Sequence, residues 1–144
     1  MVVAFFGHRD ASEDIKPKIK EVVRDLIENH GADTFLVGNN GSFDTMVKGV
    51  LAEAEKEYPH VSYSIMLAYL PTEKREYEDH SHTVFPEGLE KVPLRFAISK
   101  RNELMVKRCH TVVAYVTHSY GGAYSFKAMA EKKGKTVINI AEMI

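Results

Sequence analysis

The chain has 144 residues, 44% of them hydrophobic, which is enough for one domain with a packed core. Nineteen Lys and Arg stand against twenty Asp and Glu, and a net charge of -1 counts against a general nucleic-acid binder, which carries a basic excess or stripe. The single cysteine, Cys109, excludes an internal disulfide scaffold and fits a reducing compartment. No apolar run approaches the roughly 18 residues of a membrane span, and the apolar run in MVVAFFGHRD is too short for a signal sequence. The expectation is one cytoplasmic domain over residues 1–144, away from membranes, with nucleic acid not an expected partner.

Short apolar runs alternate with amphipathic ones. Residues 2–6 are β-prone and closed by Gly7, predicting a buried strand. Over 14–30, Ile15, Ile19, Val22, Val23, Leu26 and Ile27 fall at helical spacing, with Pro17 in the first turn and Gly31 as the stop. A second strand over 34–37 ends at Gly38. Ser42 then reads as the N-cap of a helix whose apolar side is Phe43, Met46, Val47, Val50, Leu51 and Ala54. Residues 61–70 predict a third strand, buried on both faces. Periodicity fails over 71–93, which predicts a long loop with a short irregular element, covering a functional pocket. A helix over 94–108, a strand over 111–116, a helix over 120–133 and a strand over 136–140 complete the chain.

This order calls for a doubly wound, mainly parallel five-stranded sheet with helices on both faces. Ligands of such sheets sit beyond the carboxyl ends of the strands. The candidate pocket residues are therefore Gly7, His8 and Arg9 after the first strand, residues 38–44 after the second, Tyr69 and Pro71 after the third, and residues 117–122 after the fourth. Gly121 and Gly122 at a helix start, and Gly38, Asn39, Asn40, Gly41 and Ser42 at another, gather backbone amides suited to an anion, with phosphate the usual one. Both runs also serve as plain turns. Arg9 adds a planar fork for phosphate or carboxylate. The chain has no GxGxxG and no Walker sequence. Asp79, His80 and His82 are closely spaced and have no second ligand pair, so no metal and no cofactor are expected.

Three segments carry a resemblance over nearly the whole chain: FFGHRD, VGNNGSFD and AISKRNELMVKRCHTVVAYVTHSYGGA. Together they resemble the SLOG superfamily, closest to its small bacterial YspA-like branch. The resemblance implies a Rossmann-like domain and a pocket for a nucleotide or nucleotide-derived ligand, built from the two glycine-bearing turns. The superfamily includes the LOG phosphoribohydrolases and the DprA DNA-processing proteins. LOG enzymes carry Arg-Lys and then Met on a helix, a strand, and PGGxGTxxE. On this chain the Arg falls on Arg101, the Lys position holds Asn102, and the Met falls on Met105. The glycine pair falls on Gly121 and Gly122, Tyr120 stands for the proline, and Tyr124 and Ser125 stand at the GT positions. Ala128 occupies the position of the motif's Glu, so the carboxylate that would stabilise charge on the sugar is missing.

Two readings follow. The first is binding of a nucleotide-like phosphorylated small molecule by Gly7, His8, Arg9, the 38–42 turn, Arg101, Asn102, Thr117, Ser119, Gly121 and Gly122. The alternative is a nucleotide N-glycosidase or deoxyribosyltransferase-like enzyme, with Arg101 on phosphate and Asp44 or Glu131 as carboxylate. The helix over 94–108 and the tyrosine-bearing loop offer apolar surface for a homo-oligomer.

Overall fold

The computed structural model describes residues 1–70 and 82–144. The strand β1 (Val2–Gly7) alternates its side chains between two interiors. Val3 and Phe5 enter one core while Ala4 and Phe6 enter the other, and all four are buried. A strand with both faces apolar is what a centrally placed parallel strand requires.

The helix α1 (Lys16–His30) follows a 3-10 turn at Glu13–Ile15, and Pro17 sits in its first turn, where no backbone donor is needed. It ends at Gly31, whose φ of 74° is the left-handed conformation of a helix stop. β2 (Thr34–Val37) leads to α2 (Ser42–Glu57), and β3 (Ser62–Met66) to the short strand β4 (Thr83–Val84). 3-10 turns at Leu89–Lys91 and Leu94–Phe96 then precede α3 (Ala97–Arg108). β5 (Thr111–Tyr115), α4 (Gly122–Lys132) and β6 (Thr136–Asn139) follow, and a 3-10 turn at Ile140–Met143 closes the chain.

All six strands are parallel, in the order β4-β3-β2-β1-β5-β6. Helices α1 and α2 cover one face, packing Ile19, Val23, Val47 and Leu51 against Val3, Phe5 and Phe35. Helices α3 and α4 cover the other, with Met105, Val106, Phe126 and Ala130 against Ala4, Phe6 and Val112. Stacked rings mark each interior: Phe5 on Phe35 at 6.0 Å and Phe6 on Phe126 at 5.7 Å. The chain moves outward from β1 to β4 and then returns to place β5 beside β1, with Gly7 opposite Tyr115. The reversal opens a crevice beyond the carboxyl ends of β1 and β5.

The architecture is the expected parallel α/β fold, with six strands rather than five. The additional strand is β4, two residues long within a polar stretch, and it exists by pairing Thr83 with Ile65 and Val84 with Met66. The third strand stops at Met66 instead of continuing to residue 70, although Leu67 and Ala68 remain buried. Their apolar character reflects burial, not strand geometry. Of the loop expected over 71–93, and of Pro71, Asp79 and His80, residues 71–81 lie outside the described residues. Among the described residues no helix is long and apolar enough to cross a membrane.

Candidate functional site

The ends of four elements enclose a cleft of about 170 Å³ at the crevice between the carboxyl ends of the strands. β1 and the residues after it contribute Gly7, His8 and Arg9, and the turn after β2 contributes Gly38, Asn40 and Asp44. α3 brings Ile98, Arg101 and Asn102, and the first turn of α4 brings Gly122 and Ala123.

Arg101 dominates the site. It lies on the face of α3 that also carries buried Ala97 and Met105, and only 3% of its surface is exposed. Its Nη1 donates to Asn40 Oδ1 at 2.6 Å and to the Met66 carbonyl at 3.3 Å, and its Nε donates to Asn102 Oδ1 at 3.0 Å. Every one of these acceptors is neutral. Among the described residues no carboxylate lies within ion-pairing distance of the guanidinium. Burying a cation without a directly paired anion is costly, and the hydrogen bonds that hold Arg101 all come from neutral dipoles.

Among the described residues Asp44 is the carboxylate that acts on this cation, and 7% of its surface is exposed. Its Oδ2 accepts from the Asn40 amide at 3.0 Å. Burial pushes its carboxyl above the usual carboxylate range, against the Asn40 bond and the charges of Arg101, Lys48 and Arg9, which pull it down. Burial also lowers the Arg101 guanidinium, opposed by Asp44. Lys48, one helical turn beyond Asp44, bonds Asn39 Oδ1 and is likewise lowered by burial. Gly38 makes the arrangement sterically possible. A Cβ there would stand 2.8 Å from Asp44 Oδ2 and 2.9 Å from Arg101 Nη2.

The two glycine-bearing turns share one backbone design. Gly41 caps α2 with φ 98° and ψ 179°, and Gly121 caps α4 with φ 91° and ψ 175°, a region open essentially to glycine alone. Four residues on, Thr45 and Ser125 each return a hydroxyl to the glycine carbonyl at 3.0 Å. The turns differ in charge. α2 carries Asp44 in its first turn, whereas α4 carries no acidic residue there and exposes Gly122 and Ala123 to the cleft. The positive end of α4 therefore faces the cleft uncompensated by a carboxylate of its own first turn.

A ladder of rings stands beside this turn. His8 stacks on His118 at 4.0 Å, and His118 stacks on Tyr120 at 3.9 Å, with interplanar angles of 16° and 19°. The Thr117 amide donates to His8 Nε2 at 2.9 Å, which fixes the His8 proton on Nδ1. His118 Nδ1 donates to the Tyr120 carbonyl at 3.0 Å.

Nine sequence candidates line the cleft: Gly7, His8, Arg9, Gly38, Asn40, Asp44, Arg101, Asn102 and Gly122. The others do not. Asn39 is turned to Lys48, and Gly41 packs against Arg9, with a Cβ there only 2.6 Å from Arg9 Cα. Ser42 does not cap α2. Its amide donates to the Arg9 carbonyl at 2.8 Å and its hydroxyl to the Ala11 carbonyl at 2.6 Å, tying the two turns together. Thr117 acts through its amide on His8, and Ser119 is exposed. Glu131, near the far end of α4, pairs with Lys127 at 2.8 Å and supplies no carboxylate to the cleft. His82 pairs with Glu55 on α2 at 2.8 Å. Lys48 and the Met66 carbonyl escape a reading of the sequence. Lys48 had a signal, being four residues beyond Asp44 on one helix, whereas a backbone carbonyl has none. Amides, guanidinium and ammonium groups around one buried carboxylate form a donor set suited to an oxyanion rather than to a metal ion.

No family model matches the chain, and no curated protein matches it. Among solved structures the chain is similar to DNA processing protein A (DprA) from Streptococcus pneumoniae, at a TM-score of 0.69 and 16% identity, covering 94% of this chain and 48% of that one. It is also similar to DprA from Helicobacter pylori, at a TM-score of 0.65 and 16% identity, covering 95% of this chain and 63% of that one. The chain thus spans about half to under two thirds of the length of these neighbours, and the likeness establishes the Rossmann-like fold. The Helicobacter protein is described by a unique single-stranded DNA binding mode. That overturns the expectation that nucleic acid is not a partner of such a chain. A net charge of -1 does not exclude it, because charge acts locally, and here Arg9, Lys48 and Arg101 all act on the buried carboxylate of Asp44.

Proposed function

We propose that residues 1–144 form one functional domain of the SLOG type, akin to its YspA-like branch, that binds the phosphate of a nucleotide-bearing ligand in this cleft. Single-stranded DNA is the leading form of that ligand. The observation that carries the reading is Arg101, a buried guanidinium in the cleft held only by neutral acceptors. A phosphate oxygen supplies the direct anionic partner that Arg101 lacks, and the first-turn amides of α4 supply donors beside it. Arg9 at the exposed rim adds a second guanidinium. Asp44 orders the turn through the Asn40 amide, which aligns Asn40 Oδ1 on Arg101. The DNA-binding neighbour of the same fold supports nucleic acid over a free sugar phosphate. The buried single cysteine supports a cytoplasmic setting. Exposed Leu94 and Phe96, beside α3, are assigned to self-association.

The test is fluorescence anisotropy with a labelled ten-nucleotide oligo(dT) at low salt. Arg101→Gln keeps a polar, hydrogen-bonding side chain but removes the charge, and the expected result is at least a tenfold loss of affinity, the scale of one charge-assisted bond. Equal binding by a folded Arg101→Gln protein rejects the proposal, as does the absence of binding by the wild type to both the oligonucleotide and mononucleotides.

A further inference from the structure

We propose that His8, His118 and Tyr120 form a stacking platform for a nucleobase, with the open face of Tyr120 receiving the base. This rests on the phosphate-binding reading of the cleft and adds to it the part of the ligand that phosphate contacts cannot recognise.

The chain's own groups build the ladder. Its rings lie 4.0 and 3.9 Å apart and within 19° of parallel, which is the geometry of offset π stacking. Two hydrogen bonds from the same turn hold it: the Thr117 amide on His8 Nε2, and His118 Nδ1 on the Tyr120 carbonyl. The bond from the Thr117 amide needs a free lone pair on His8 Nε2, so the His8 ring enters the stack neutral.

The inner rings have a structural use, since His8 also meets the Tyr115 ring edge-on at 6.0 Å. The outer ring has none. Tyr120 is 70% exposed, and among the described residues no ring other than His118 stacks on it. A large aromatic ring fixed in water at the end of a stack offers a π-face at little entropic cost, and every base has a face to match.

Chemistry beside the platform selects the occupant. Tyr120 is followed at once by Gly121 and Gly122, the start of α4, whose first turn bears no acidic residue and lines the Arg101 cleft. A ligand that joins a flat π-system to an anion is a nucleotide unit, free or within a single strand.

The experiment compares wild type, Tyr120→Ala and Tyr120→Phe against dTMP, a ten-nucleotide oligo(dT), and an abasic deoxyribose-phosphate oligomer of equal length. The chain contains no tryptophan, so Tyr120→Trp places a sole indole reporter at the platform. The expected result is a loss of about tenfold in oligo(dT) affinity for Tyr120→Ala, within the range of one base–aromatic stack. Tyr120→Phe should bind as wild type, and the abasic oligomer should be indifferent to Tyr120→Ala. Indole fluorescence should be quenched by base-bearing ligands alone. A matching loss with dTMP identifies a free nucleotide as sufficient, and a loss confined to oligo(dT) identifies the strand. If oligo(dT) binds equally to wild type and Tyr120→Ala, with no quenching of the indole, the platform is rejected while the cleft reading survives. If the wild type binds none of the three, both fall together.

Discussion

His8 meets the ladder, the cleft and the turn after β5 through one imidazole, and its protonation state decides whether the bond from the Thr117 amide exists. Burial is the main reason its pKa lies below the ordinary 6.5, with a charge on His118 lowering it further and Asp10 opposing. A lowered folded-state pKa means that the unfolded chain takes up the proton first. The stability His8 contributes is therefore complete above about pH 6.5 and is lost as pH falls from there toward the folded value. Protonation also converts Nε2 from acceptor to donor and breaks the bond from the Thr117 amide. Urea midpoints measured across this range should fall with acid in the wild type. They should fall less in His8→Gln, whose side-chain oxygen accepts from Thr117 without titrating. Equal slopes for the two proteins would remove His8 as the source. None of this was legible in the sequence, because the partners of His8 are a backbone amide 109 residues away and a ring from another turn.

At the scale of elements, the paired glycine caps separate strain from steric fit. Gly41 and Gly121 hold nearly the same dihedrals, so a side chain at either incurs a similar backbone penalty of about 1–3 kcal/mol. Their surroundings differ. A Cβ at Gly41 meets Arg9 Cα at 2.6 Å, whereas at Gly121 the nearest atom is His118 Cε1 at 3.9 Å. Gly121→Ala should thus lose only the strain, while Gly41→Ala should lose roughly 1–3 kcal/mol more by forcing the two turns apart. Chemical denaturation of the two variants checks the difference, and equal losses would show that the turns do not press on each other. The elements themselves were readable where one face is apolar over several turns: Ile19, Val22, Val23, Leu26 and Ile27 of α1 are all buried, as are Phe43, Met46, Val47, Val50, Leu51 and Ala54 of α2. They were unreadable where pairing alone makes the element. β4 is a strand because Ile65 and Met66 accept it as a neighbour, and Ser42 is held away from a capping role by the Ala11 carbonyl.

For the whole molecule, topology does what composition cannot reveal. Returning the chain from β4 to β5 beside β1 brings Arg9, Lys48 and Arg101 to one edge of the sheet, against the buried carboxylate of Asp44. Other charges near the periphery pair with each other, such as Arg24 with Glu57 and Lys127 with Glu131, and these pairs do not line the cleft. A ligand therefore meets a local cationic field on a neutral protein, and salt should report it. For single strands the logarithm of affinity falls against the logarithm of salt with a slope of about -0.7 per phosphate neutralised. Engagement of all three cations predicts a slope near -2 for oligo(dT), roughly three times that value. Arg9→Gln, altering an exposed side chain, should flatten the slope by about 0.7 and weaken binding uniformly across base compositions. Anisotropy titrations from about 50 to 200 mM salt span a range wide enough to resolve that change. A slope near zero, or one unmoved by Arg9→Gln, would mean that the phosphates lie away from this edge and that the gathered cations serve the fold alone.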